Sequence, residues 1–295
     1  MHTFFSYHRF LVIVSLLTLS LASVTTHAYK HKKTQDNAFE KILEAQSEEH
    51  KARHQYRNPQ KTLEFFKIKP GMTVVEVLPG GGWYSKILLP LLGSKGTLVG
   101  ADYPLTLWNN FSFMTPERLE AKKSWVPSWI KDAHSWRTDD SALVNAFQFA
   151  NMPESFNDSA DAVLFIRALH NLNRFNEKSG YLDTALKESF NVLKPGGIVG
   201  VVQHQAREDR SDEWADGNNG YLKQSFVMKK MAEHGFEFVA SSDINANPKD
   251  LAKEGDKVWR LPPSLRSDDP EVKAAMQAIG ESNRMTLLFK KPVKK

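Results

Sequence analysis

Two carboxylates bracket a run of glycines. Glu76 stands near the end of the strand-like run Thr73 to Val77, the turn Pro79 to Gly82 follows, and Asp102 comes twenty positions after Gly82. Gly80, Gly81 and Gly82 let the backbone approach a ligand closely, and the N–H groups that open the following helix favour anionic groups. An acid about twenty residues beyond such glycines, at the tip of the next strand, accepts hydrogen bonds from ribose hydroxyls. A second polar group offers proton transfer: Arg167, His170 and Asn171 leave one apolar run, and Gln203, His204 and Arg207 leave another. His170 is the first candidate for a general base, because imidazole titrates near neutral pH. The plainer alternatives are an ion-paired strand-end carboxylate for Glu76 and a hydrogen-bonded structural residue for His170.

The elements that must position these residues alternate. Thr73 to Val77 reads as the first strand, and Trp83, Ile87, Leu88 and Leu91 share one face of the next helix. Thr97 to Ala101 is the second strand, closed by Asp102. A long aromatic segment follows, broken by Pro104, Pro116 and Pro127. It is either a helix packed on the sheet or part of a substrate wall. Leu143 to Phe149 reads as the third strand and Asp161 to Arg167 as the fourth, with the continuous apolar run that a buried parallel strand requires. A helix from about Lys178 to Leu193 precedes the fifth strand, Ile198 to Val202. The helix Tyr221 to His234 precedes the sixth, Phe236 to Ser241. An irregular arm from Asp243 to about Glu281 leads to the last strand, Arg284 to Phe289. Ahead of the glycines, Phe39, Ile42 and Leu43 mark one short helix, and Asn58-Pro59 starts another with Leu63, Phe65 and Phe66 inward. Tyr56 and Arg57 are expected to pack there. Alternation of strand and helix predicts a parallel α/β sheet with helices on both faces.

The pattern of hydrophobic pair, acid and spaced glycines, with an acid ending the second strand, resembles class I S-adenosylmethionine-dependent methyltransferases. KPGMTVVEVLPGGGWYSKIL, VLKPGGIVGVVQH (Val192 to His204) and NPKD (Asn247 to Asp250) are similar to a group of bacterial methyltransferases that carry signal peptides. The resemblance covers most of the chain beyond about Arg57. It implies a Rossmann-like class I methyltransferase fold, seven-stranded and mostly parallel with an antiparallel last strand, occupying residues 58–295 after a helical extension over 29–57. It implies S-adenosyl-L-methionine as cofactor, held by Glu76, Gly80, Gly81, Gly82 and Asp102. Asn151 is a candidate adenine contact, and His170, Asn171 and Arg167 are catalytic candidates; no metal is required. One position departs from the family: Leu78 stands where a glycine is usual, which narrows the room beside the cofactor's methionine end. No Asp/Asn-Pro-Pro-aromatic tetrapeptide follows the fourth strand, which disfavours nucleobase or glutamine amine methylation.

Composition narrows the remaining classes. The chain has no cysteine, which excludes disulfides, thiolate zinc sites, a cysteine nucleophile and a lipoprotein anchor. Arg9, the apolar run Phe10 to Ala22 and Thr26-His27-Ala28 form a signal-peptide pattern, with cleavage expected after Ala28. Its thirteen apolar-core residues fall short of the roughly 20 needed to span a bilayer. The expected location is therefore periplasmic or secreted, with membrane attachment only through an uncleaved signal. Net charge is +5, and removing residues 1–28 takes away Arg9 and no acid, leaving +4. That modest surplus gives no support to nucleic-acid binding. The expected partner is a small-molecule methyl acceptor. Two other readings stay open: a non-catalytic secreted ligand-binding or envelope-interaction protein on the same fold, and an NAD(P)-binding oxidoreductase built on Gly80-x-Gly82-x-x-Ser85.

Overall fold

A computed structural model describes residues 37–293. The chain divides into two units, Met1–Gln46 and Ser47–Lys295. In the first, the described residues form a helix over 37–44, after which the Gln46 side-chain amide donates to the Ile42 carbonyl. The expected signal peptide lies outside the described residues.

The second unit is built on a mostly parallel sheet. Its strands are β1 Thr73–Val77, β2 Thr97–Asp102, β3 Leu143–Gln148, β4 Ala160–Ile166, β5 Leu193–Ala206, β6 Leu222–Lys223, β7 Glu237–Ser242 and β8 Arg284–Lys290. The order across the sheet is β3-β2-β1-β4-β5-β8-β7, with the two-residue β6 paired to the end of β5. β1 to β5 run parallel, while β8 is antiparallel to both β5 and β7. This is the Rossmann-like class I arrangement with its antiparallel finish. The count is eight strands rather than seven, because β6 was too short to leave a hydrophobic signature.

The central strands are apolar on both faces because helices cover both. β1 and β4 are buried almost throughout, whereas the edge strands β3 and β7 are largely open. The helix Pro59–Phe65 packs Leu63 and the following Phe66 into the core, each fully buried; each such side chain contributes about 1.5–3 kcal/mol. Phe65, expected inward, is only half-buried. The aromatic segment after β2 forms three helices, Leu105–Trp108, Pro116–Lys123 and Trp125–Ser135. Trp129 lies so close on Gly100 of β2 that a Cβ there would sit 2.8 Å from its ring. That segment is thus a helical layer on the sheet.

The arm between β7 and β8 is more ordered than its sequence implied. It contains the helix Pro270–Ile279, capped by Asp269, whose carboxylate accepts from the Glu271 and Val272 amides. The NPKD residues fasten it. Asn247 donates to the Ile279 and Glu281 carbonyls, and buried Asp250 accepts from Tyr221, Arg260 and the Asn283 amide. Two ends of the arm are thereby fixed against the start of β8.

Candidate functional site

Strand order reverses between β1 and β4, and open parallel sheets bind ligands at such a point, beyond the carboxyl ends of the strands. A cleft of about 530 Å³ opens there. Its floor is the chain leaving β1 (Leu78 to Gly81) and β4 (Ile166, Arg167), and the arm closes one side with Trp259 to Ser264. The backbone turns sharply at both exits. Leu78 has φ 53 and Arg167 has φ 60, left-handed conformations that cost a non-glycine residue about 1–2 kcal/mol. Both are locked by their own amides: Leu78 N–H donates to Ala101 at 2.7 Å, and Arg167 N–H donates to Val202 at 2.6 Å. The left-handed backbone at Leu78 gives the physical reason for glycine at this place in the resembling family.

His170 is 4% exposed and lines the cleft. Its tautomer follows from its neighbour. The Gln203 amide nitrogen donates to the Gly220 and His204 carbonyls, so its oxygen Oε1 is turned to His170 Nδ1 at 3.3 Å and can only accept. Nδ1 therefore carries the proton, and Nε2 keeps a lone pair. Burial, with Arg167 and Arg174 acting in the same sense, lowers the imidazole to about 4 against the opposing Gln203 bond. The ring is neutral at pH 7. Asn171 donates to the Tyr103 hydroxyl at 3.4 Å, and Tyr103 in turn donates to the Ala168 carbonyl at 2.7 Å, which steadies the loop. His204, also buried, is bonded to Ser282 at 2.5 Å.

The deep wall is an arginine cluster. Glu281, 3% exposed, accepts from Arg53 Nε at 2.8 Å, from Arg57 Nε at 3.3 Å and from Arg284 Nη1 at 3.1 Å. Burial raises the Glu281 carboxyl, but Arg57, Arg284, Arg167 and Arg53 together outweigh it and hold the group below the ordinary carboxylate range. Arg57 is itself buried, lies 4.4 Å over the Trp83 ring, and is lowered to about 8 by burial and by repulsion from Arg167. Residues 53 and 57 meet residue 281 across more than 220 positions of chain, so spacing carried no sign of the cluster. Arg57, expected to pack, also lines the cleft.

The two carboxylates lie elsewhere. Alternation along β1 turns Glu76 away from Val75 and Val77, beneath the start of the helix Ser85–Leu92, where Ser85 Oγ donates to it at 2.6 Å. Burial raises Glu76 to about 8, with the Ser85 bond opposing. Asp102, 1% exposed, pairs through Oδ2 with Lys122 Nζ at 2.8 Å, and Lys122 also rests 3.7 Å over the Trp108 ring. The other oxygen, Oδ1, is buried with no hydrogen-bond partner among the described residues. Burial raises this carboxyl as well, against Lys122. Gly82 is pressed by the Trp136 ring, which a Cβ would meet at 2.4 Å. Asn151 is exposed in the turn after β3. The cleft thus gathers Gly80, Gly81, Arg167, His170 and Asn171; Glu76, Gly82, Asp102 and Asn151 are not on its lining. Among the described residues no three His, Asp or Glu side chains converge as a metal-holding set, and no helix is long and apolar enough to cross a membrane.

No family model matches the chain, and no curated protein matches it. Solved structures are similar in fold. An S-adenosylmethionine-dependent methyltransferase from Aquifex aeolicus is 15% identical over 86% of this chain and 98% of its own, with a TM-score of 0.45. An arsenic(III) S-adenosylmethionine methyltransferase from Chlamydomonas reinhardtii is 15% identical over 86% of this chain and 73% of its own, with a TM-score of 0.41. The [4+2]-cyclase SpnF is 17% identical over 81% of each chain, with a TM-score of 0.45. At these identities the likeness is one of fold, and the function has to be argued from the site.

Proposed function

We propose that this chain is an S-adenosylmethionine-dependent methyltransferase whose acceptor sits in the switch-point cleft. The observation that carries the reading is Asp102 Oδ1, a buried acceptor with no hydrogen-bond partner among the described residues, at the tip of β2. A buried carboxylate oxygen left unbonded is costly, and a ribose hydroxyl is the donor that this place in the fold would supply. Gly80 and Gly81 on the cleft floor, with Asp102 at the buried tip of β2, would hold the adenosyl and amino-acid portions; the cofactor, when bound, supplies a methyl carbon already activated on a sulfonium. The protein's own work is to align the acceptor and take its proton, worth typically 10²–10⁴-fold for a positioned base. His170 Nε2 is assigned that proton, since its ring is neutral and its other nitrogen is fixed by Gln203. The proposed acceptor is a small molecule and the proposed location is periplasmic or secreted, on the strength of the signal-peptide pattern before Tyr29.

One observation favours the rival, a non-catalytic ligand-binding protein: Ser85 and Lys122 already engage both carboxylates. Calorimetry with S-adenosylhomocysteine separates the two. Micromolar binding that Asp102→Asn weakens at least tenfold supports methyl transfer. No heat at millimolar ligand removes it and leaves the binding protein.

A further inference from the structure

The cleft wall carries more positive charge than its acids balance. Arg53, Arg57 and Arg284 all converge on the single buried carboxylate of Glu281. Arg167 stands beside them at the exit of β4, lines the cleft, and makes no side-chain hydrogen bond or ion pair among the described residues. Its Nε is buried without a partner. Glu49 also lines the cleft, but it is exposed at the rim, and burial lowers all three histidines of the lining, His50, His170 and His204. Burial lowers the Arg167 guanidinium to about 10, so it keeps its proton at pH 7 and cannot relieve itself by neutralising. Its five donors in a fixed plane match oxyanions, by two parallel bonds where geometry allows. The strained backbone at Arg167 holds this charge in the site, and strain of that kind persists where the surroundings over-determine it.

Part of the remaining lining is apolar. Trp83 stands on one side of the cleft, and Trp259, Leu261 and Pro262 come from the arm. A ligand made only of charge would leave these surfaces wet. A ligand with an apolar body and an anionic head would use both.

We infer that this cleft binds a small molecule with an anionic oxygen group, a carboxylate or a phosphate, on an apolar body, and that Arg167 is the residue that grips the anion. Calling that molecule the methyl acceptor rests on the function proposed above; the binding itself does not, and it holds equally for a non-catalytic protein. Arg53 and Arg57 shape the positive field, with Glu281 fixing their positions. Because Arg167 makes no side-chain hydrogen bond or ion pair among the described residues, its loss removes no such bond. Replacing it therefore leaves the fold intact while emptying the anion site, which separates this role from a structural one.

Calorimetry on the purified full chain, without adenosyl cofactor, tests this with three probes: phenyl phosphate, benzoate and neutral benzamide. At least one anion is expected to bind ten times or more tightly than benzamide, and to weaken as salt is raised. The tighter of the two tells phosphate from carboxylate. Arg167→Gln is expected to lose at least tenfold in anion affinity with an unchanged or raised melting temperature, and Arg207→Gln, exposed and paired with Asp209, to bind like the wild type. Equal binding of benzamide, no binding of either anion, or full affinity in Arg167→Gln overturns the inference. So does loss of anion binding on saturation with S-adenosylhomocysteine, which would assign the cluster to that ligand's own carboxylate. Anion binding that persists while S-adenosylhomocysteine gives no heat defeats the methyltransferase reading and leaves this one standing.

Discussion

Glu281→Gln is the substitution that probes the cleft wall most directly. Glu281 is the only carboxylate in contact with Arg53, Arg57 and Arg284 among the described residues, and Arg57 and Arg284 are 2% and 3% exposed. The amide keeps the shape and one accepting oxygen, but it leaves two buried guanidinium charges with no counter-ion. Breaking a buried ion pair from one side costs about 3–5 kcal/mol. For a domain of this size each kcal/mol moves the melting temperature by about 2–4 °C, so the variant should melt roughly 6–20 °C below the wild type at pH 7. The sign against pH follows from the carboxyl being held below its ordinary value in the fold. Its contribution is fully present above the unfolded pKa, about 4.3, and is lost as pH falls through the lower folded value. The gap between wild type and variant should therefore be constant from neutral pH down to about pH 5 and close below the ordinary carboxylate range. Differential scanning calorimetry across that range checks it. A variant that melts within 2 °C of the wild type at pH 7, taking about 2–4 °C per kcal/mol, would refute the counter-ion role assigned to Glu281.

Three further outcomes follow from the geometry. Leu78 has a left-handed backbone, so Leu78→Gly should be more stable than Leu78→Ala by about 1 kcal/mol in urea unfolding, the reverse of the usual order. Equal stability would mean that the turn is unstrained. Glu76, raised to about 8 by burial, is favoured in its protonated form by the fold, so its stabilisation is complete below the unfolded value and drains away as pH rises through 8. Glu76→Gln should accordingly match the wild type near pH 4 and melt several degrees higher at pH 9; superimposable curves of melting temperature against pH would exclude this. Once an acceptor is known, His170→Ala should slow methylation by about 10²–10⁴-fold, and the wild-type rate should fall on the acid side near pH 4 rather than 6.5. A rate unchanged by the substitution takes His170 out of the proton transfer.

Local signals in the sequence were sufficient for the sheet. β1 lies at Thr73–Val77 as read, β2 ends on Asp102, and β4 and β5 are the continuous apolar runs. The helix Pro270–Ile279, none of whose residues is buried, was missed although Val272, Met276 and Ile279 recur at helical spacing. Asp269 followed by Pro270 and Glu271 was the start signal that could have found it. The site was legible only where it follows a strand. Gly80 and Gly81 were singled out by the glycine turn, and Arg167, His170 and Asn171 by the rule that ligands bind beyond parallel strand ends; all five line the cleft. Arg284 lies three residues from Glu281, but Arg53 and Arg57 reach it only through tertiary folding, and no pattern in a single chain marks such pairs. The direction of Glu76 depends on strand alternation, which was readable; its bond to Ser85 was not.

β8 lies between β5 and β7, yet it is the last element of the chain to be made. Whatever leads the polypeptide N-terminus first through a narrow channel must release everything up to and including β8 before the sheet can close. Until then β7 has no neighbour, and Glu281 has not yet reached the arginines that await it. Closure of the sheet therefore waits on β8, and a chain lacking Arg284–Lys290 would leave β7 without its neighbour and Glu281 without Arg284.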